Sequence, residues 1–425
     1  MKFRGKVWIA IMATAFILLT SCDTESTTVP TDTPIPGATA TPSPTFTMTP
    51  VPTNTGTLVP TQTMTPTATA APSPTATMTA TPMPSRGIRV EAVAGDLDTP
   101  WALAFAPDGR MFVTERGGNI KVVQNGQVRQ YFEVEGVVEE SESGLLGIAL
   151  DPEFHTTRHL FVYHSYRGED DGLENRVVRL RDTGQTAVEP TVILDGIPGA
   201  RIHDGGRIKF GPDGMLYIAA GDAAFAESAQ DVDSLAGKIL RIRKDGSVPP
   251  DNPLAGSPAY SYGHRNPQGL AWHPVTGQLF ATEHGQSATD EVNLILPGRN
   301  YGWPTARGDG HGAPYQAPLL HSGNTTWAPS GAAIYPVEGG VLPPEWSGLV
   351  VYAGLVGQRL RWIELSAPGY NTVRNHGDLF VREYGRLREV VVGPDGFIYF
   401  TTNNRDGRGS PQPGDDKILR IVPAS

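Results

Sequence analysis

The chain has one cysteine, Cys22, among its 425 residues. One thiol cannot form an internal disulfide, and it cannot supply the cysteine set of a structural zinc site. The chain also has no run of basic residues, and its formal net charge at pH 7 is −10. Because nucleic-acid binding depends on cationic surfaces, this charge balance argues against a nucleic-acid partner.

The N-terminal apolar run, Val7 to Leu19, is too short to span a bilayer comfortably, and three basic residues precede it. This pattern predicts a signal peptide over residues 1–21. The run ends in Leu19-Thr20-Ser21-Cys22, which resembles a bacterial lipobox. We therefore expect lipidation of Cys22 and an extracytoplasmic protein whose contact with the membrane is limited to this N-terminal anchor.

Residues 22–86 consist mainly of Thr, Pro, Ala and Ser, with few charged residues and few large apolar ones. Such a segment cannot bury enough apolar surface to form a core. Its prolines favour extended polyproline II, so we expect a semi-rigid stalk between the lipid and the folded part. A bare disordered tether would serve the same purpose.

The remaining segment, residues 87–425, lacks a sustained helical period but repeats one phrase. Ala-Pro-Asp-Gly or Gly-Pro-Asp-Gly begins at residues 106, 211 and 393, and weaker copies have their prolines at 152, 274 and 336. Proline presets one turn residue and glycine supplies a positive φ, so each copy predicts a hairpin between two strands. The prolines lie 45 to 62 residues apart, the length of a four-stranded blade with its loops.

This spacing predicts an all-β fold, a six-bladed β-propeller. We expect the closing blade to combine residues 88–93 with the last strands, which include residues 417–422. Two stacked sandwiches would be the alternative, but they do not explain the repeat.

The run from Tyr262 to Leu270 contains Arg265 and Asn266 between residues that interrupt helices and strands. Arginine presents a planar fork to carboxylates, and asparagine adds a donor and an acceptor. The pair is typical of a site for a flat anion rich in carbonyl groups. A loop arginine paired with a local acid is the simpler alternative.

Arg386 and Arg388 alternate at the entry to a predicted strand, so both side chains should lie on one face. In an acidic chain this favours binding of an anion, although an exposed charged face would show the same pattern.

His203 precedes the second clear Pro-Asp-Gly hairpin, and Asp222 follows the strand on its other side. Two strands joined by one turn run back alongside each other, which can bring the two side chains together. A carboxylate on one imidazole nitrogen fixes the tautomer and makes the other nitrogen a better base. The alternative is a loop histidine near a surface aspartate.

Several of these motifs occur together in one order. Gly263-His-Arg-Asn-Pro-Gln-Gly269 is followed by Thr282-Glu-His-Gly285 and then by Asp290-Glu-Val-Asn-Leu294. This combination resembles the soluble PQQ-dependent glucose and aldose dehydrogenases, the glucose/sorbosone dehydrogenase family, over residues 87 to 425. The resemblance implies oxidation of an aldose at C1 to the lactone, with a small sugar as substrate. The sequence does not identify the electron acceptor.

By this resemblance, His203 is the general base, Asp222 supports it, and PQQ is the cofactor. The implied cofactor-binding residues are Arg265, Asn266, Arg386, Arg388, Glu142 and His284. For Glu142, a place in a packed blade strand is the alternative.

The resemblance also implies calcium. The main-chain carbonyls of Gly285 and Gln286 would hold the Ca²⁺ that bridges to PQQ, since hard cations take oxygen ligands. Glu291 and the carbonyl of Tyr301 match a further calcium site of some relatives. A surface ion pair is the plainer interpretation of Asp290-Glu291.

The chain departs from the family pattern at three places. Val356 stands where relatives often have a cation for a PQQ carboxylate, Gln286 replaces a common proline, and residues 324–330 match the sugar-contacting region only loosely. Two rival functions therefore stay open: a non-catalytic sugar- or protein-binding propeller, and a calcium-dependent lactonase propeller. No Gly-x-Gly-x-x-Gly motif follows a candidate strand, which argues against a nicotinamide cofactor.

Overall fold

A computed structural model describes residues 87–424 of the chain. The predicted signal peptide (1–21), the lipidated Cys22 and the predicted stalk (22–86) lie outside the described residues. Within residues 87–424, no helix is long and apolar enough to cross a membrane.

The described residues form 24 strands in six four-stranded antiparallel sheets. Blade 1 contains β2 (Pro100–Phe105), β3 (Met111–Glu115), β4 (Asn119–Gln124) and β5 (Gln127–Glu133). Blade 2 contains β6 (Leu145–Leu150), β7 (His159–Arg167), β8 (Leu173–Asp182) and β9 (Ala187–Pro198). Blade 3 contains β10 (Ile208–Phe210), β11 (Leu216–Ala220), β12 (Lys238–Ile242) and β13 (Ala259–Tyr262).

Blade 4 contains β14 (Pro267–Trp272), β15 (Leu279–Glu283), β16 (Glu291–Ile295) and β17 (Leu320–His321). Blade 5 contains β18 (Pro329–Ile334), β19 (Val350–Gly354), β20 (Arg359–Leu365) and β21 (Val373–Leu379). Blade 6 contains β22 (Leu387–Val392), β23 (Ile398–Thr402), β24 (Ile418–Pro423) and β1 (Ile88–Ala94). The helices are short: α1 (Phe154–Thr157) and three 3-10 turns, Ala226–Ala229, Gly308–Gly310 and Pro344–Trp346.

The prediction of a six-bladed β-propeller is confirmed. Each repeated proline lies in the connection between the first and second strands of a blade, as at Pro107 between β2 and β3. The turn chemistry thus marks one hairpin in every blade. The first strands of most neighbouring blades contact one another, as β14 contacts β18 and β18 contacts β22, and they line the central channel.

The closing blade also forms as expected. β1, from the start of the described segment, pairs antiparallel with β24 at its end, with Ile88 opposite Pro423 and Val90 opposite Ile421. This pairing joins the two ends of the ring within one sheet and leaves the propeller without a gap between its first and last blades.

The core lies between neighbouring blades, where alternate strand residues pack face to face. Phe112, Leu160 and Ile218, for example, are fully buried. A buried ion pair between Arg207 and Glu389 also links blades 3 and 6, which are not neighbours in the ring.

The candidate catalytic and cofactor-binding residues lie at one end of the channel, which we call the loop face. In each blade the first strand begins where the antiparallel second strand ends, as shown by the pairing of Pro267 with Glu283 and of Leu387 with Thr402. Residues that precede first strands or follow second strands therefore meet at this end.

Candidate active site

His203 and Asp222 meet at the loop face. His203 Nδ1 lies 2.8 Å from Asp222 Oδ1, and Asp222 is buried. The carboxylate is held in turn by the indole N–H of Trp303 at 2.8 Å and by the backbone N–H of Ala224 at 2.8 Å. Because an ionised carboxylate only accepts hydrogen bonds, Nδ1 carries the proton and Nε2 keeps its lone pair.

The backbone around His203 explains the glycines in this segment. His203 itself has a positive φ of 66°, and so does Gly205. A Cβ on Gly205 would lie 2.4 Å from the carbonyl oxygen of Ala219, in the neighbouring strand. Only glycine lets the chain pass this close, so the motif fixes the position of the imidazole.

Arg265 reaches the free side of this imidazole. Its Nη2 donates to His203 Nε2 at 2.9 Å, and its Nη1 donates to the carbonyl of His284 at 3.2 Å. Burial lowers the pKa of Arg265, and its Nε has no hydrogen-bond partner among the described residues. The guanidinium therefore has an unused N–H donor and can bind an anionic or carbonyl ligand.

Asn266, the next residue, ties three parts of the site together. Its side-chain oxygen accepts from the Gly205 backbone N–H at 3.0 Å, and its amide nitrogen lies 3.4 Å from Glu142 Oε2. Asn266 is fully buried, so its role here is to hold the loops of blades 2, 3 and 4 in register.

Arg386 and Arg388 differ in their partners although both are buried. Arg386 forms an ion pair with Asp406 at 2.7 Å. Arg388 donates to the amide oxygens of Asn403 at 3.1 Å and Gln268 at 2.7 Å, and within residues 87–424 it has no ion-pair partner. Burial lowers the pKa of Arg388 to about 9. A buried cation without a carboxylate is costly unless an anion binds to it.

Glu142 lies at the same site and contacts an arginine that the sequence did not point to. Glu142 Oε2 accepts from the His203 backbone N–H at 3.1 Å, and Oε1 accepts from Arg408 at 2.7 Å. Burial opposes ionisation of Glu142, but the electrostatic interaction with His284 and these two donors together outweigh it and lower the pKa of Glu142. Arg408 lies on the long loop between β23 and β24 of blade 6. No local sequence pattern predicts that its side chain extends past blade 1 to Glu142.

His284 stands beside these residues as a neutral ring. Burial lowers its pKa to about 4, and its Nε2 has no partner among the described residues. Its Nδ1 lies 3.5 Å from the Asn266 amide nitrogen. The ring therefore offers an unused polar atom to a ligand at the loop face.

The loop that contains Gly285 and Gln286 is organised by Asp290. This carboxylate accepts from the backbone N–H of Gly285 at 2.8 Å, of Trp327 at 2.5 Å and of Ala328 at 2.9 Å. A Cβ on Gly285 would lie 2.2 Å from the Ala288 carbonyl oxygen, so glycine is required. Among the described residues, no donor bonds the carbonyl oxygen of Gly285 or Gln286. Both oxygens remain available to a hard cation.

Glu291 and Tyr301 are also close together, but their oxygens are in use. The Tyr301 carbonyl accepts from His311 Nε2 at 2.9 Å. Glu291 accepts from the Gly308 backbone N–H at 2.9 Å and from Asn293 at 3.2 Å. Burial, with Glu283 nearby, raises the pKa of Glu291 to about 7. This pair does not fit a cation as well as the Gly285–Gln286 carbonyls do.

A family model for glucose/sorbosone dehydrogenases matches residues 97–419. The chain belongs to this family. It is 33% identical over 345 residues to the aldose sugar dehydrogenase YliI of Escherichia coli, covering 75% of this chain and 91% of that protein. It is 33% identical over 252 residues to quinoprotein glucose dehydrogenase B of Acinetobacter calcoaceticus, covering 51% of this chain and 52% of that one.

Solved structures show the same relationship. The PQQ-bound aldose sugar dehydrogenase of Streptomyces coelicolor aligns with a TM-score of 0.71 and 39% identity, covering 80% of this chain and 99% of that chain. The shared fold therefore extends over the whole propeller of a sugar dehydrogenase.

In this glucose/sorbosone dehydrogenase, the two arginines that follow Val356 on β20 lie close to one carboxylate, Asp378. Val356 is 52% exposed. Arg359 forms an ion pair with Asp378 at 2.6 Å, and Arg361 lies 3.4 Å from the same carboxylate while stacking on Trp327. Neither arginine is therefore free to replace the cation that relatives often place at this point.

Asp204, next to His203, is a functional candidate that the sequence analysis missed. Its Oδ1 accepts from Asn175 and from the Ala200 backbone N–H, but its Oδ2 has no partner among the described residues. Burial raises the pKa of Asp204 to about 7. The carboxyl is therefore largely protonated in mildly acidic medium, within the segment that holds His203.

Asp204→Asn should change how stability depends on pH in this dehydrogenase. The folded-state pKa of Asp204 is raised, so its contribution to stability is full below the unfolded pKa near 3.8 and is lost as pH rises through about 7. Between pH 4 and pH 8, wild type should lose up to about 4 kcal/mol more than the variant. Urea unfolding at each pH measures this difference, and parallel profiles would show that Asp204 does not titrate in this way.

Proposed function

We propose that this protein is a PQQ- and Ca²⁺-dependent aldose dehydrogenase that oxidises C1 of a sugar to the lactone. The observation that carries the proposal is Arg388, a buried cation without an ion-pair partner in residues 87–424, at the same channel end as the His203–Asp222 pair. A site with an unpaired cation and an oriented base suits an anionic redox cofactor and a hydroxyl substrate.

The residues present fit PQQ, which bears three carboxylates. Arg388 and Arg265 would bind carboxylate or carbonyl oxygens, because neither has a carboxylate partner of its own. Arg386 contributes less than expected from the sequence, since Asp406 already neutralises it. The carbonyl oxygens of Gly285 and Gln286, which no donor in residues 87–424 bonds, would hold one Ca²⁺. When bound, PQQ supplies the two-electron acceptor for the hydride from C1.

The chain's own residues then handle the proton. His203 Nε2 accepts the proton of the C1 hydroxyl, which makes the ring an imidazolium. Asp222 stabilises this cation through its hydrogen bond with Nδ1–H. Trp303 and Ala224 keep Asp222 in place during this step. Arg265 Nη2 also donates to Nε2 at 2.9 Å, so its guanidinium lies beside the proton-accepting nitrogen.

The lactonase alternative finds less support in the structure. A lactonase propeller would hold its metal with several side chains, but residues 87–424 contain no group of three or more His, Cys, Asp or Glu arranged for a metal ion. Main-chain carbonyls, as at Gly285 and Gln286, suit a calcium that orients a cofactor.

The purified full chain, supplied with PQQ, Ca²⁺ and a dye acceptor, tests the proposal across a panel of aldoses. We expect dye reduction together with stoichiometric formation of the lactone. Sugar binding without dye reduction would favour the binding-propeller alternative, and lactone hydrolysis without reduction would favour the lactonase.

Val356→Lys should strengthen cofactor binding. The substitution adds a cation at an exposed position. The nearby arginines of β20, Arg359 and Arg361, already lie close to the carboxylate of Asp378. A charge-assisted hydrogen bond contributes about 1.5–3 kcal/mol, or roughly ten- to a hundred-fold in affinity. A PQQ titration with excess Ca²⁺ measures the change. Unchanged or weaker binding would show that position 356 does not face a carboxylate of the cofactor.

We further propose an extracytoplasmic location with a lipid anchor at Cys22, supported by the lipobox-like sequence. Cys22→Ser should move the protein from the membrane fraction to the soluble extracytoplasmic fraction. Unchanged partitioning of that variant would place the anchor elsewhere.

A further inference from the structure

We infer that the channel has a second ligand site at the end opposite the loop face, and that this site takes a monocarboxylate with an apolar body. The site is a hollow of about 380 Å³ where the first strands end, as at Phe105, Trp272 and Val392, and we call it the hairpin mouth. Its volume lies in the range of small-ligand pockets, about 300–1,000 Å³. Because the hairpin mouth lies away from His203, the inference does not depend on the proposed function.

The walls of the hairpin mouth are apolar. Four first strands end there with a large apolar side chain: Phe105 on β2, Trp272 on β14, Ile334 on β18 and Val392 on β22. Phe105, Trp272 and Val392 are only half-buried, although they lie next to the centre of the ring. The apolar part of a ligand that covered them would remove this surface from water, which is favourable.

Lys209 on β10 is the one charged side chain among the described residues that line this hollow. Its Nζ donates to the carbonyl oxygens of Leu270 and Ala332, both at 2.9 Å. An ammonium group has three N–H donors, so one donor is left for a ligand. A single cation in an apolar hollow matches a single anionic group on an apolar body.

The channel interior next to Lys209 has no carboxylate to spare. The charged groups that act on Lys209 are Glu389, which raises its pKa, and Arg207, which lowers it. These two residues pair with each other, and even so Arg207 Nη2 has no hydrogen-bond partner among the described residues. Positive charge is therefore in excess at this level of the channel.

The burial of Lys209 has a measurable cost. Burial lowers the pKa of Lys209 to about 8, because the charged ammonium has lost most of its contact with water. A ligand carboxylate at the free N–H donor would offset this loss through a charge-assisted hydrogen bond.

Titration calorimetry of the full chain at pH 7 with octanoate, 1-octanol and acetate tests the site. Octanoate has both the charge and the apolar body, whereas 1-octanol lacks the carboxylate and acetate lacks the body. We expect one octanoate per chain, bound about tenfold or more tightly than either of the other two, the value of a charge-assisted hydrogen bond or of the buried chain. Absence of saturable octanoate binding, or equal binding of 1-octanol, would overturn the inference.

Two variants locate the bound octanoate. Lys209→Met should weaken binding by about tenfold or more. Val392→Trp should do the same by filling the hollow, and it leaves Lys209 and its two hydrogen bonds in place if Lys209→Met fails to fold. Val275→Trp is the matched control, because Val275 lies in the hairpin between β14 and β15, is 63% exposed and does not line the hollow.

The control Val275→Trp should bind octanoate as wild type does. Arg388→Met should also keep this binding, because Arg388 lies at the loop face. Octanoate binding that survives Val392→Trp, or that is lost in Arg388→Met, would show that the ligand does not occupy the hairpin mouth.

The affinity for octanoate should also fall by about tenfold between pH 7 and pH 9. Lys209 is charged below its pKa of about 8 and loses its charge above it, while a carboxylic acid stays ionised throughout this range. A lysine that only ties β14 to β18 would not make octanoate binding depend on pH in this way. An affinity that is constant from pH 7 to pH 9 would show that the carboxylate does not bind Lys209.

Discussion

His203→Ala should keep the fold and cofactor binding but lose turnover by about 10²-fold or more, the usual contribution of a positioned general base. The physical reason is the orientation of the imidazole: Asp222 accepts from Nδ1–H at 2.8 Å, which makes Nε2 the nitrogen that can take up a proton. Turnover with a saturating aldose, after reconstitution with PQQ and Ca²⁺, measures the loss.

His155→Ala is a suitable control, because His155 is an exposed histidine on α1, which lies in the hairpin at the opposite end of blade 2. It should behave as wild type. Wild-type turnover should also fall on acidification, since only a neutral imidazole accepts a proton, and the residual activity of His203→Ala should not follow that fall. Near-normal turnover in His203→Ala would remove this residue from the mechanism.

Arg388→Met should weaken PQQ binding by roughly ten- to a hundred-fold, the value of a charge-assisted hydrogen bond of about 1.5–3 kcal/mol. The same substitution should cost little stability, because it removes a buried cation that has no ion-pair partner within residues 87–424. Equilibrium titration with PQQ and thermal unfolding without PQQ measure the two effects separately.

Arg386→Met provides the contrast. Arg386 neutralises the buried Asp406, so its loss leaves an unpaired buried carboxylate and should destabilise the fold by about 3–5 kcal/mol. If Arg388→Met unfolds the protein as readily as Arg386→Met, or binds PQQ normally, Arg388 is a structural residue.

The fold could be predicted from the sequence because its signals are local. Each Pro-Asp-Gly turn fixes a hairpin within a few residues, and the closing pair of β1 and β24 follows once six hairpins have been counted. The meeting of His203 and Asp222 could be anticipated for a similar reason, because both residues flank one hairpin.

The partners that the sequence did not show come from other blades. Asp406 pairs with Arg386, Arg408 reaches Glu142, and Trp303 supports Asp222 across 81 positions of the chain. These contacts depend on where long loops fold over the channel. Neither the strand periodicity nor the turn motifs of the sequence predict the positions of those loops. His311, which bonds the Tyr301 carbonyl, belongs to the same class of contact.

Equilibrium binding of PQQ to the full chain, followed by tryptophan fluorescence with Ca²⁺ and with a chelator, tests the central claim most directly. We expect one PQQ per chain when Ca²⁺ is present and an affinity weaker by about tenfold or more after chelation, because the Gly285 and Gln286 carbonyls attract the cofactor only through a cation. Restoring Ca²⁺ should restore binding. Absence of PQQ binding with Ca²⁺ in excess, or equal affinity in metal-free protein, would contradict the account.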